Sequence, residues 1–212
     1  MPKTRVLLAD DHTLVAEALK SLLAEPFDLV GVVHDGRALV EAAEKLRPDV
    51  IVTDISMPLL NGLEAVRQLR ERQPETRIIV LTMHRDTHLA ASAFRAGVSG
   101  YLLKISPSEE LVKAIREVAQ GRSYVTTLLA KDLINLLMDP ATTRENEAPL
   151  TARQREVLQL IAEGRTMKEV AGLLNISPRT AESHKYDIMQ ALSVRTTAEL
   201  VQCAVRMKLV GE

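Results

Sequence analysis

The residues best suited to chemistry in this chain stand at the ends of short apolar runs in its first half. Asp10 and Asp11 follow the first such run, Asp54 follows the second, Thr82 ends the third and Lys104 follows the fourth. Runs that are apolar throughout are typical of parallel strands buried on both faces. Because ligands of an open α/β sheet bind outside the carboxyl ends of its strands, we expect these five side chains to lie close together.

Three carboxylates, a hydroxyl and an ammonium in one place would suit a phosphoryl group. Mg²⁺ prefers a few carboxylates together with phosphate oxygens. A carboxylate such as Asp54 can attack a phosphoryl donor to form an aspartyl phosphate, with Mg²⁺ and Lys104 neutralising the charge. Each residue taken singly has an ordinary explanation, because an aspartate before Thr13 could cap a helix and a lysine is usually solvated. The coincidence at four strand ends favours the phosphoryl site.

The segments that must position these residues alternate between strand-like and helix-like patterns over the first 122 residues. Strict alternation of this kind predicts an α/β domain with a five-stranded, parallel, doubly wound sheet. Ser106 followed by Pro107 and the acidic Glu109 predicts the start of the helix after the last strand, with Ser106 as its N-cap.

The second half is predicted to be helical. Leu128 to Met138 has the spacing of one amphipathic helix, and residues 139–149 are polar, charged and flanked by prolines, as in a linker. Capping-box patterns beginning at Thr151, Thr166 and Thr196, and the pair Ser177-Pro178, mark the starts of four short helices. The tight turn at Asn175-Ile176 joins the second of these to the third, which is the arrangement of a helix-turn-helix unit.

Composition limits the class of protein. The 212 residues are 46% hydrophobic and 26% charged, and a single cysteine, Cys203, excludes an internal disulfide. The apolar stretches fall short of a membrane span and no signal-peptide pattern opens the chain, so we expect a cytoplasmic protein. From Pro149 onward there are nine basic and seven acidic residues, a net charge of +2, against −3 for the preceding part.

Residues 4 to about 122 resemble the receiver domain of response regulators, whose acidic pair, phospho-acceptor, switch hydroxyl, lysine and switch aromatic match Asp10, Asp11, Asp54, Thr82, Lys104 and Tyr101. The resemblance implies a sheet of the flavodoxin-like type. It also implies that a sensor histidine kinase phosphorylates Asp54 with Mg²⁺ held by the three aspartates. Thr82 and Lys104 would then contact the phosphoryl oxygens, and Tyr101 would turn inward to bias the face around the fourth helix and fifth strand. Transfer and removal of the group would be self-catalysed, and the protein would not be a metabolic enzyme.

From Leu150 onward the sequence resembles the LuxR-type helix-turn-helix of NarL/FixJ regulators. The implied organisation is a receiver at 1–122, a linker with one helix at 123–148 and a DNA-binding domain at 149–212. Side chains that could face the major groove or its phosphates are Arg179, Thr180, Glu182, Ser183, Lys185 and Tyr186. Ile188, Met189 and Leu192 have core spacing. The implied partners are promoter DNA, a second copy after phosphorylation and, as a further candidate, RNA polymerase.

Two alternatives remain open from the sequence. The chain could be a phosphorylation-independent DNA-binding regulator that uses the receiver as a dimerisation scaffold, although the intact acidic pair and Lys104 argue against this. It could also be a signalling adaptor whose terminal helices bind protein, because a net charge of +2 is low for a DNA-binding module. The same low charge predicts weak non-specific DNA binding that requires dimerisation to reach useful affinity.

Overall fold

The computed structural model describes residues 3–138 and 150–211. The first of these ranges alternates strands and helices as follows: β1 (Arg5–Ala9), α1 (Thr13–Ala24), β2 (Asp28–Val33), α2 (Gly36–Leu46), β3 (Val50–Thr53), α3 (Gly62–Arg72), β4 (Arg77–Thr82), α4 (Thr87–Arg95), β5 (Gly100–Leu103), α5 (Ser108–Ala119), β6 (Tyr124–Val125) and α6 (Thr127–Met138). The second range holds α7 (Ala152–Ala162), α8 (Met167–Leu174), α9 (Pro178–Ala191) and α10 (Thr197–Arg206). No helix in either range combines the length and apolar character needed to cross a bilayer.

The strands form one parallel sheet in the order β2-β1-β3-β4-β5-β6. The first five strands in this order have the flavodoxin-like arrangement that the receiver resemblance implies. The predicted number of strands was wrong, because β6 adds a sixth at the edge, where Tyr124 and Val125 pair with Gly100 and Tyr101. Two residues are too short to produce a recognisable apolar run, so the sequence analysis placed β6 in the linker.

Helices cover both faces of the sheet. Alternate residues of the central strands point to opposite faces, as the two-residue period of a strand requires. Leu7 and Ile51 pack with α2, α3, α4 and α6 on one face, whereas Leu8 and Val52 pack with α1 and α5 on the other. This double burial explains why the strands are continuously apolar and why their polar residues stand only at the carboxyl ends.

The predicted cap of α5 was wrong. The helix begins at Ser108 with Pro107 at the N-cap position, and no side chain caps it. Ser106 belongs instead to the turn after β5, where its N–H donates to the Leu103 carbonyl and its hydroxyl lies 3.2 Å from that of Thr126. The hydroxyl of Ser106, which the local sequence pattern predicted to cap α5, therefore contacts Thr126 between β6 and α6.

The four C-terminal helices start where the capping patterns placed them. Thr151, Thr166 and Thr196 each form a complete capping box, and Ser177 caps α9. Asn175 ends α8 in the left-handed conformation with a φ of 52°. Helix α6 begins at Thr127, one residue before the predicted start. The predicted linker at 139–149 lies outside the described residues.

Gly62 fixes the path of the chain after the acceptor strand. It opens α3, and its N–H donates to the Ile55 carbonyl at 2.8 Å, while Asn61 caps the helix through the Leu63 N–H. A Cβ at position 62 would lie against the backbone oxygen of Asp54, well inside van der Waals contact. The sequence pair Asn61-Gly62 therefore permits α3 to begin directly beside the end of β3.

Gly62→Ala is expected to destabilise the chain by about 1–3 kcal/mol, because the backbone of Asp54 and the start of α3 must separate. The measurement is the free energy of unfolding from urea titration. Gly172→Ala is the matched control, since Gly172 lies within α8 with open space around it and an alanine there should be neutral or stabilise by up to about 1 kcal/mol. Equal effects of the two substitutions would contradict the close approach at Gly62.

Candidate functional site

The residues at the strand ends converge on the ammonium of Lys104. Its Nζ lies 2.7 Å from Asp10 Oδ2 and 2.7 Å from Asp54 Oδ2. The side chains of Lys104, Asp10 and Asp54 are 6%, 1% and 5% exposed, so the charges meet almost out of contact with water. Lys104 reaches this position because its backbone N–H pairs with the Thr82 carbonyl at the end of β4. Three of the five side chains predicted to lie together, those of Lys104, Asp10 and Asp54, are therefore in direct contact.

The carboxylates control the protonation of Lys104. Burial lowers the pKa of the ammonium, but the charges of Asp54 and Asp10 and their hydrogen bonds outweigh this effect and raise the pKa of Lys104 above its ordinary value. The lysine therefore stays protonated at neutral pH. The second oxygen of Asp54, Oδ1, accepts a hydrogen bond from the Ile55 N–H at 2.6 Å.

The acidic cluster fits a divalent cation. Ligand atoms of Asp10, Asp11, His12 and Asp54 all lie within 4.8 Å of one another. Asp11 Oδ1 is buried and accepts no hydrogen bond from the residues that the structure describes. His12 Nδ1 lies 2.8 Å from this oxygen, but not in hydrogen-bonding geometry. Carboxylate oxygens with free lone pairs are the ligands that Mg²⁺ prefers.

His12 was not among the candidate site residues from the sequence. Histidine spacing gave no signal, because His12 has no second histidine at a metal-ligand distance along the chain. Its direct adjacency to Asp11 was the available signal. The ring is 62% exposed and lies at the rim of the cluster.

Thr82 and Tyr101 are buried at the neighbouring strands. The Thr82 hydroxyl accepts a hydrogen bond from the His84 N–H at 3.2 Å, and the Tyr101 hydroxyl donates to the His84 carbonyl at 3.1 Å. Tyr101 is 0% exposed, which is the inward position of the ring, and its turning on phosphorylation stays a prediction. Burial and then the charges of Asp86 and Asp54 raise the pKa of the Tyr101 phenol, which stays neutral.

Helix α9 presents the candidate DNA-contacting side chains. Lys185 is partly buried. The other five candidates are exposed, namely Arg179, Thr180, Glu182, Ser183 and Tyr186. Ile188 is buried, and Met189 and Leu192 pack against the same core cluster, as their spacing predicted. The polar face is free of the core, and its contact with DNA stays a prediction.

Two family models match the chain in the same order as its two parts. The model described as the response regulator receiver domain matches residues 6–116. The model described as bacterial regulatory proteins of the luxR family matches residues 148–204. The chain belongs to the LuxR-type response regulators. It is a two-component response regulator whose receiver precedes a DNA-binding domain.

Individual relatives match over nearly the whole chain. The transcriptional regulatory protein MctR of Rhizobium johnstonii is 35% identical over 214 residues, which cover 100% of this chain and 97% of MctR. The oxygen regulatory protein NreC of Staphylococcus epidermidis is 37% identical over 218 residues, covering 97% and 99%. A solved structure of two RcsB dimers bound to two parallel DNAs aligns with 27% identity and a TM-score of 0.60, covering 94% of this chain and 97% of that one.

Lys104→Met is expected to lower the free energy of unfolding by about 3 kcal/mol, because it leaves the buried carboxylates of Asp10 and Asp54 without their cation. Adding Mg²⁺ should restore part of the loss. The measurement is urea unfolding with and without Mg²⁺. Lys45→Met removes the same charge from an exposed position in the last turn of α2 and should cost less than about 1 kcal/mol. A Lys104 variant as stable as this control would contradict the pairing.

Proposed function

We propose that Asp54 accepts a phosphoryl group from a sensor histidine kinase and that this modification controls binding of the chain to promoter DNA. The observation that carries the proposal is the buried Lys104 ammonium held between Asp10 and Asp54 at the carboxyl end of a doubly wound sheet. Such a pocket collects one nucleophilic carboxylate, one fixed cation and two further carboxylates.

The proposed chemistry is a self-catalysed transfer. A carboxylate oxygen of Asp54 attacks the phosphorus of the donor, a P–O bond forms, the donor's P–N bond breaks, and the histidine nitrogen leaves with its electron pair. Lys104 stays protonated and neutralises charge on the phosphoryl oxygens. Asp10, Asp11 and Asp54 would hold Mg²⁺, which supplies further charge neutralisation when bound.

Thr82 and Tyr101 are proposed to transmit the modification. Thr82 can exchange its hydrogen bond from the His84 N–H for donation to a phosphoryl oxygen, which alters the loop after β4. Tyr101 is buried and hydrogen-bonded to the His84 carbonyl, so a change in this loop would also act on the position of the ring. The Tyr101 carbonyl also accepts the Thr126 N–H, so the same change reaches the β6–α6 segment.

DNA is the proposed output partner, with α9 as the recognition helix. Arg179 and Lys185 supply positive charge, whereas Glu182 can accept from a cytosine amino group. The RcsB relative binds DNA as dimers, and the low net charge of this domain favours the same requirement here. We infer that phosphorylation increases dimerisation. The alternative is a receiver that serves as a dimerisation scaffold without phosphorylation. It does not explain why the receiver buries a cluster of carboxylates around Lys104.

Asp54→Asn is expected to abolish phosphorylation by acetyl phosphate or by the cognate kinase, because the amide cannot act as the nucleophile. The measurement is the fraction of shifted protein on a phosphate-affinity gel. Asp28→Asn, an exposed change of the same kind on β2, should phosphorylate normally. Normal regulation of target promoters by the Asp54→Asn variant would favour the phosphorylation-independent alternative.

Arg179→Ala is expected to weaken specific DNA binding by about 1–3 kcal/mol, as loss of one base or phosphate contact does. The measurement is fluorescence anisotropy at two salt concentrations on fragments selected by genome-wide binding. Arg95→Ala, an exposed arginine of α4 in the receiver, serves as the control for charge alone. Equal effects of the two substitutions would remove α9 from the proposed interface.

A further inference from the structure

The loop that joins Asp54 to α3, residues 55–61, packs against the DNA-binding domain. The amide of Gln159 on α7 is 1% exposed and contacts this loop. Its Oε1 accepts the Asn61 N–H at 2.6 Å and its Nε2 donates to the Met57 carbonyl at 2.9 Å. The Asn61 side chain donates to the carbonyl of Lys208, which follows α10. One domain therefore completes the backbone hydrogen bonds of a loop that belongs to the other.

A buried ion pair holds α7 beside this loop. Arg155 makes two contacts with Glu64 at the start of α3, Nε to Oε1 at 2.6 Å and Nη2 to Oε2 at 3.1 Å. The two side chains are only 13% and 4% exposed. Next to them, Gln68 donates to Glu156 at 3.0 Å. Paired contacts of a guanidinium with a carboxylate fix orientation as well as distance, so α7 is held in one register on α3.

Leu59 is a loop residue in an unfavourable conformation that also contacts the DNA-binding domain. Its φ is 65°, in the left-handed region that a side chain with a Cβ disfavours. Its N–H donates to Glu163 Oε1 at 3.0 Å, and its side chain packs on the core cluster of the C-terminal helices. A strained residue persists only where its surroundings determine it. In this case the surroundings are the turn closed by the Leu60 N–H on the Pro58 carbonyl at 2.8 Å and, from the other side, the DNA-binding domain.

The same loop forms one wall of the acceptor site. Ile55 donates to Asp54 Oδ1, and the Ile55 carbonyl accepts from both Met57 and Gly62. Ser56 Oγ lies 3.2 Å from His84 Nε2, from the loop after β4. Because Asp54 is only 4% exposed, a phosphoryl group on it requires this wall to move and to turn donors toward the new oxygens. A loop held by Gln159 opposes that movement.

The docking contact does not cover the recognition helix. Among the described residues, Arg179, Glu182 and Tyr186 are exposed while the α7 contacts are in place. Masking of the DNA-binding surface therefore does not account for the contact. Its direct effect falls on residues 55–61 and, through them, on Asp54.

We propose that Gln159 is a positioning residue for the acceptor loop, which it holds from the DNA-binding domain in the conformation that resists phosphorylation of Asp54. The inference rests on the proposed role of Asp54 as acceptor. Coupling between two sites is reciprocal, so loss of the α7 contact favours modification and modification favours loss of the contact. The DNA-binding domain thereby sets how readily the receiver responds.

The test is the affinity of the full-length chain for beryllofluoride with Mg²⁺, a non-covalent mimic of the phosphoryl group, measured by isothermal titration calorimetry. Gln159→Ala and Arg155→Glu should each bind about fivefold more tightly than the unchanged protein. The charge exchange Glu64→Arg with Arg155→Glu should return the affinity toward the original value. Hydrogen exchange in α7 should rise when beryllofluoride is added to the unchanged protein, and should already be raised in the Gln159→Ala variant.

The control is Arg165→Glu, which makes the same charge change as Arg155→Glu at an exposed position between α7 and α8. It should leave the affinity for beryllofluoride unaltered. Urea unfolding of each variant establishes that it is folded, and the charge exchange provides a second route if Gln159→Ala is unstable. Equal or weaker beryllofluoride binding by the folded variants would overturn the inference while leaving Asp54 as acceptor. Failure of the unchanged protein to bind beryllofluoride would overturn the proposed function itself.

Discussion

The ammonium of Lys104, held 2.7 Å from carboxylates of both Asp10 and Asp54, is the contact on which the rest of the receiver depends. Without a cation, the aspartates at adjacent strand ends would repel one another in a poorly solvated pocket. The pairing of β5 with β4 places the lysine there. A shift in the register of these two strands would therefore also remove the cation from between the two carboxylates. A phosphoryl group on Asp54 alters that balance directly, because it adds negative charge beside the only ammonium in the described pocket.

The consequences spread through two loops that meet at the acceptor. The loop after β4 carries His84, whose backbone bonds both Thr82 and Tyr101. The loop after β3 carries Met57 and Asn61, which the Gln159 amide holds. The first leads to β6 and α6, and the second leads to α7. Both routes run from the charged site to the C-terminal half, which is how a local electrostatic change can have a global effect.

Much of this architecture could be predicted because local signals and the global fold agree. The strand ends indicated the acceptor site, since continuous apolar strands leave polar residues only at their ends. Helix starts at Thr151, Thr166 and Thr196 followed from side chains that bond within one turn. Ser106 was misassigned because Thr126, twenty residues away, competes for its hydroxyl.

Features that depend on contacts distant in sequence were not predictable. β6 exists only because the edge of β5 is available to two residues with no strand pattern of their own. The buried Tyr101 hydroxyl donates to the His84 carbonyl, which lies 17 residues earlier in the chain. The contacts of Gln159 with Asn61 and of Glu163 with Leu59 join residues about 100 positions apart in the chain. In the sequence alone, Gln159 looks like an ordinary polar position on a helix.

The central claim is that the state of Asp54 controls the affinity for DNA. The most direct measurement is the dissociation constant of the full-length protein for a target promoter fragment, at one fixed salt concentration, with Mg²⁺ alone and with Mg²⁺ plus beryllofluoride. The account predicts tighter binding and a larger dimer fraction with beryllofluoride. An unchanged dissociation constant under conditions in which beryllofluoride occupies the site would contradict it.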